Sequence, residues 1–133
     1  MKSTATLIVL LSCGAGALRL MGAGQEAANV SGDSIRGREV FISQCIVCHS
    51  ERATDVPNPG PDLRGIFGQP AGSVPGYRYS RALRNARRSW TDLTLDAFIA
   101  DPQAALPGNT MPFPGIVEEA QRRDLIAYLK TLK

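Results

Sequence analysis

The pentapeptide Cys45-Ile46-Val47-Cys48-His49 constrains this chain more than any other feature of it. Two thiols with two residues between them make a poor disulfide staple but a good spacing for holding a ligand or an attached group. Three readings other than cofactor attachment account for the motif less well. A thioredoxin-like dithiol needs a βαβ context, which the sequence lacks, and has no use for the histidine. A zinc site needs a fourth ligand, yet His49 is the only histidine and the one other cysteine, Cys13, lies near the start of the chain. Accidental core cysteines leave the five-residue pattern unexplained. The pattern is the signature of c-type haem attachment, in which Cys45 and Cys48 add to the two porphyrin vinyl groups and His49 sits beneath the iron as an axial ligand.

Residues 1–24 read as an export signal. Lys2 precedes an apolar run from Thr4 to Leu18 that is shorter than the roughly 20 residues a bilayer-spanning helix needs, and Arg19 interrupts it. Cleavage is expected between Gly22 and Ala28, ahead of a short polar tail, 25–32, and one domain, 33–133. Leu10-Leu11-Ser12-Cys13 loosely resembles a lipobox. A lipid on Cys13, or an uncleaved signal, would tie the protein to a membrane; otherwise the expected location is the bacterial periplasm.

The formal charge is +3, which falls to +1 once Lys2 and Arg19 are set aside. That balance argues against a nucleic-acid partner. Five arginines (Arg78, Arg81, Arg84, Arg87 and Arg88) fall close together, and a solvated face explains them at least as well as a docking patch. A mature body of about 105 to 110 residues forms only a small core and gains from an internal apolar cofactor.

The periodicity predicts an all-α architecture of short helices and long loops. Asp33 or Ser34 can cap a helix through Cys45, with Gly37, Phe41 and Cys45 on one face. Prolines and glycines from Ser50 to Gly76 forbid long regular elements, and so long a loop inside a compact domain is expected to wrap something. Ser80 can cap a short helix to about Asn85. Thr91 or Asp92 can cap another, carrying Leu95, Phe98 and Ile99 and stopped by Pro102. A loop from Gln103 to Ile116 follows. The last helix is expected from Glu118 to Leu132, with Leu125, Tyr128, Leu129 and Leu132 as its buried stripe.

A second axial ligand has to come from elsewhere in the chain, and a thioether suits an electron carrier because soft sulfur favours Fe(II) and raises the potential. Met1 and Met21 leave with the signal, so Met111 remains. It sits in Pro107-Gly108-Asn109-Thr110-Met111-Pro112-Phe113-Pro114-Gly115, a stiff loop, whereas a gap-filling methionine more often lies on a helix stripe.

Beyond these motifs, the chain resembles the class I cytochromes c of the mitochondrial and bacterial periplasmic type over essentially its whole mature body. The likeness runs through Gly37, Phe41 and the Cys45–His49 motif, then Gly60-Pro61-Asp62-Leu63-Arg64-Gly65-Ile66-Phe67-Gly68 and Pro75-Gly76-Tyr77-Arg78-Tyr79-Ser80. It continues through Trp90, Asp101-Pro102, Pro107-Gly108, Met111-Pro112-Phe113 and Asp124-Leu125-Ile126-Ala127-Tyr128-Leu129-Lys130. The resemblance implies a cytochrome c fold around one covalent haem c, ligated by His49 and Met111. It implies that the first and last helices cross near Gly37, Phe41, Leu125 and Tyr128. It also implies that the Pro61 carbonyl accepts the other His49 ring N–H, and that Tyr79 and Trp90 donate to a buried haem propionate.

Several positions depart from the mitochondrial pattern. Phe98 stands where a tyrosine usually bonds the methionine sulfur, Asn109 replaces a threonine, Leu83 an asparagine, and Gln69 an arginine near a propionate. The family's ring of lysines is replaced by Gln44, Gln103, Ala104, Thr110, Val117, Glu118 and Glu119, so docking is expected to depend weakly on ionic strength.

The expected function is one-electron shuttling by a monomer without substrate chemistry. Its redox partners would be a quinol-oxidising complex, a terminal oxidase, a reaction centre or a periplasmic dehydrogenase. Two rivals stand beside it. One is a dedicated subunit of a periplasmic dehydrogenase complex, which would copurify with its enzyme in fixed ratio. The other is a haem peroxidase or gas-binding protein, which requires Met111 to leave the iron.

Overall fold

Asp33 starts the first helix by accepting the backbone N–H groups of Ile35 and Arg36 on its side chain, so α1 (Ser34–Gln44) begins with its free donors satisfied. The computed structural model describes residues 31–52 and 58–133. The expected signal, nearly all of the polar tail, Cys13 and Pro57 lie outside these residues. α1 ends in a turn through Cys45 that carries the chain directly into the pentapeptide, with the Cys45 and Ile46 N–H groups both bonded to the Phe41 carbonyl.

α5 (Glu119–Leu129) crosses α1 at a contact that only glycine permits. A Cβ at Gly37 would stand 1.9 Å from the Asp124 carbonyl oxygen and 2.9 Å from the Tyr128 Cβ. Phe41, fully buried, packs on Tyr128 with ring centroids 5.5 Å apart, and Leu125 is buried beside them. The crossing implied by the resemblance is therefore present. Ions reinforce it, because Asp124 accepts from the Asp33 N–H at 2.7 Å and from Arg36 Nε at 2.7 Å.

Ser80 caps α2 (Arg81–Asn85), and Thr91 with Thr94 forms a capping box on α3 (Asp92–Ala100), close to the predicted bounds. Leu95, Phe98 and Ile99 are its buried stripe. Two boundaries differ from expectation. Pro102 ends α3 but also opens a further turn, α4 (Pro102–Ala105), capped by the Asp101 carboxylate on the Ala104 N–H at 2.9 Å. Proline is at home in a first helical turn, where its missing N–H costs nothing. α5 stops at Leu129 rather than Leu132, and a tight turn then places the Leu132 carbonyl on the Gly65 N–H at 2.8 Å.

Among the described residues there is no strand, only an isolated bridge between Pro70 and Ser89. The loop after the pentapeptide folds by turns, with Gly65, Gly68, Gly72 and Gly76 all at positive φ. It is pinned to the segment before α3 by Gly68 N–H to the Trp90 carbonyl at 2.7 Å and Trp90 N–H to the Gln69 carbonyl at 2.9 Å.

Candidate haem-binding site

The helices and loops enclose a cavity of about 260 Å³ that every predicted site residue lines: Cys45, Cys48, His49, Pro61, Tyr79, Trp90 and Met111. A mostly apolar cavity with a few converging polar groups is the usual form of a ligand or cofactor site. The fold is built for an occupant.

One side of the cavity is the pentapeptide. The Cys48 and His49 N–H groups bond to the Cys45 carbonyl at 3.1 and 2.9 Å, a single helical turn that sets both thiols and the imidazole against one space. Burial pushes the Cys45 thiol up to about 11, with the nearby Cys48 adding to the shift. A redox dithiol works by the opposite change, a lowered thiol pKa. His49 is buried, and its Nδ1 lies 2.8 Å from the Pro61 carbonyl oxygen. A carbonyl can only accept, so Nδ1 carries the proton and Nε2 keeps its lone pair for a metal. Burial also lowers the His49 pKa, against the opposing pull of the Pro61 bond, which favours the neutral, ligating form.

Gly60 makes this approach possible. A Cβ there would stand 2.6 Å from His49 Cε1 and 2.8 Å from the Cys48 carbonyl oxygen. Just past the histidine, the Glu51 carboxylate accepts from the Tyr128 hydroxyl and from Arg38 Nη2, at 3.1 Å for the arginine, tying the pentapeptide to both α5 and α1.

Met111 lines the cavity from the loop after α4. That loop is fixed at its far end, where the Ile116 N–H bonds the Ile99 carbonyl at 2.9 Å and Arg122 Nη1 bonds the Ile116 and Val117 carbonyls at 3.0 and 2.7 Å. Gly115, at φ +98°, passes so near α3 that a Cβ would stand 2.0 Å from the Ala100 carbonyl oxygen. Tyr79 and Trp90 are buried, and burial raises the Tyr79 pKa, so its phenol stays a proton donor. The core stripes of α3 and α5 supply the remaining apolar wall through Leu95, Phe98, Ile99, Leu125 and Leu129. Among the described residues, no Asp, Glu, Lys or Arg lines the cavity.

These residues fit a covalent haem. Two thiols stand one turn apart beside an imidazole of fixed tautomer, a thioether lines the same space, and the walls are apolar and aromatic. A protein-family model described as cytochrome c matches residues 34–133. The chain belongs to the cytochrome c family. It is 44% identical over 102 residues to a cytochrome c of Euglena viridis, covering 77% of this chain and 99% of the relative. It is 39% identical over 105 residues to the cytochrome c2 of Rhodomicrobium vannielii, covering 79% and 83%. The solved structure of cytochrome cH from Methylobacterium extorquens matches with a TM-score of 0.70 at 38% identity, over 75% of this chain and 99% of that one. As a cytochrome c, the protein is a haem-based electron carrier with haem c as its covalent cofactor, and it works with redox partners.

Two site features were not predicted. Gly60 stands in a family motif that assigns it no role of its own. Asn109 was noted only as a departure from threonine, but it is buried and organises the Met111 loop.

Proposed function

We propose that this cytochrome c cycles one electron through an iron held between His49 Nε2 and the Met111 sulfur, in the bacterial periplasm. The observation that carries the reading is that the imidazole, fixed by Pro61, and the Met111 thioether line one cavity with both thiols. Bound haem supplies the Fe(II)/Fe(III) couple. The chain's own part is to attach it through Cys45 and Cys48, to hold the His49 tautomer, and to exclude water with apolar walls. Tyr79 and Trp90 would donate hydrogen bonds to a propionate of the bound haem.

If His49 and Met111 both hold the iron, no coordination site would be left for substrate, and the protein would act as a carrier rather than an enzyme. Residues 1–24 are the export signal, 25–32 a tail and 33–133 the working domain. The partners are a quinol-oxidising complex, a terminal oxidase, a reaction centre or a periplasmic dehydrogenase, met by a monomer through the uncharged rim that Gln44, Val47, Thr110, Pro112 and Phe113 contribute to the cavity.

A potentiometric titration of the purified protein tests the reading. The expected result is a single reversible one-electron couple with no peroxidase turnover on added hydrogen peroxide. Steady turnover at an open iron would contradict it.

A further inference from the structure

We infer that Asn109 is the positioning residue that holds Met111 against the cavity, an inference that rests on Met111 being an iron ligand. Asn109 is only 6% exposed, and both ends of its amide are used. Its Nδ2 donates to the Pro102 carbonyl at 2.7 Å and the Leu106 carbonyl at 2.9 Å, the first residue of α4 and the residue that closes it. Its Oδ1 accepts the Met111 backbone N–H at 2.9 Å. Gln103 Nε2 adds contacts at 3.4 Å to the Asn109 amide oxygen and to the carbonyls of Asn109 and Met111, near the limit of a hydrogen bond.

This arrangement couples two things that the backbone alone leaves separate. α4 is a single turn in which the Pro102 carbonyl accepts the Leu106 N–H at 3.0 Å and the closing Leu106 carbonyl accepts the Asn109 N–H at 3.2 Å. The Asn109 amide adds a second donor to each of these carbonyls and spends its acceptor on the residue two positions on, an Asx turn that fixes the backbone of Met111. The far end of the loop is tied separately, by Ile116 and Arg122. Removal of the amide therefore loosens the near end, where Met111 lies, leaving it the Asn109 N–H bond to the Leu106 carbonyl and the long Gln103 contacts, while the far end stays held.

The ligand exchange that reads this out is simple. In the oxidised protein, added imidazole displaces the thioether: the sulfur–iron bond breaks, a nitrogen–iron bond forms, and the iron stays ferric. A well-held methionine resists that exchange. Asn109→Ala should bind imidazole about tenfold more tightly than the wild type, since one lost buried hydrogen-bond set is worth about that factor. Asn109→Ser, whose hydroxyl can make a weaker turn of the same kind, should fall between them. Asp124→Asn, which loosens the α1–α5 crossing far from this loop, serves as a control for lost stability alone.

An Asn109→Ala affinity equal to the wild type's overturns the inference, as does an equal rise in Asp124→Asn. The methionine–iron band of the oxidised wild type separates the two levels of the argument. If that band is absent, the ligand assignment itself fails; if it is present and imidazole affinity does not move, only the role of Asn109 fails.

Discussion

Phe98 and Leu83 line the cavity as hydrocarbon, where the family more often carries polar side chains, and this sets an expectation for the iron. A hydroxyl donating to the methionine sulfur would reduce its donation to Fe(III) and favour Fe(II). Phe98→Tyr is therefore expected to raise the midpoint potential, by on the order of 1 kcal/mol for one hydrogen bond, or roughly 40 mV for a one-electron couple. Potentiometry checks it, and an unchanged midpoint counts against it. That Cys45, Cys48, His49 and Met111 would meet at one site could be read from the sequence, because each is set by local spacing or by being the last residue of its kind, and all four line one cavity. Gly60 and Asn109 were not, for their roles depend on what other segments bring near. Nothing in the sequence around Gly60 shows that the His49 ring will lie against it, and Asn109 acts on a helix that was not foreseen.

Among the elements, the α1–α5 crossing is where a single atom matters most. Gly37→Ala pushes a methyl into the Asp124 carbonyl, and overpacking against backbone costs about 3 kcal/mol or more. Chemical denaturation should show that loss with haem attachment intact; a change within ~0.5 kcal/mol would contradict the contact. The same crossing carries a charge term. The Arg36 guanidinium, and then the Asp33 N–H, hold the Asp124 carboxyl below its ordinary value. The unfolded chain therefore binds more protons in that range, so this stability is present above about pH 3.9 and is lost as pH falls through the lowered native value. Asp124→Asn should lessen the slope of stability against pH on the acid side, measured by thermal melts at stepped pH. Helix positions were readable from caps and stripes at Asp33, Ser80 and Thr91. The differences are end effects: Pro102 stops one helix yet also suits the first turn of the next, and the Leu132 stripe position lies beyond a helix whose last residue is Leu129.

For the whole molecule, the cavity implies that cofactor and fold are one unit. The core stripes of α3 and α5 face the cavity rather than only one another, so a chain that cannot attach haem lacks the centre of its own core. Cys45→Ser/Cys48→Ser is expected to lose cooperative thermal unfolding, and a sharp native-like transition without porphyrin would contradict this. The all-α class and the wrapping loop could be anticipated from proline, glycine and helix periodicity. The size and apolar character of the enclosed space could not, since they arise from how distant segments meet. The most direct test of the central claim is the near-infrared spectrum of the oxidised protein, recorded for wild type and for Met111→Ala. The account predicts a methionine–iron(III) charge-transfer band in the first and none in the second. A wild-type spectrum without that band, or one that Met111→Ala leaves unchanged, would contradict it.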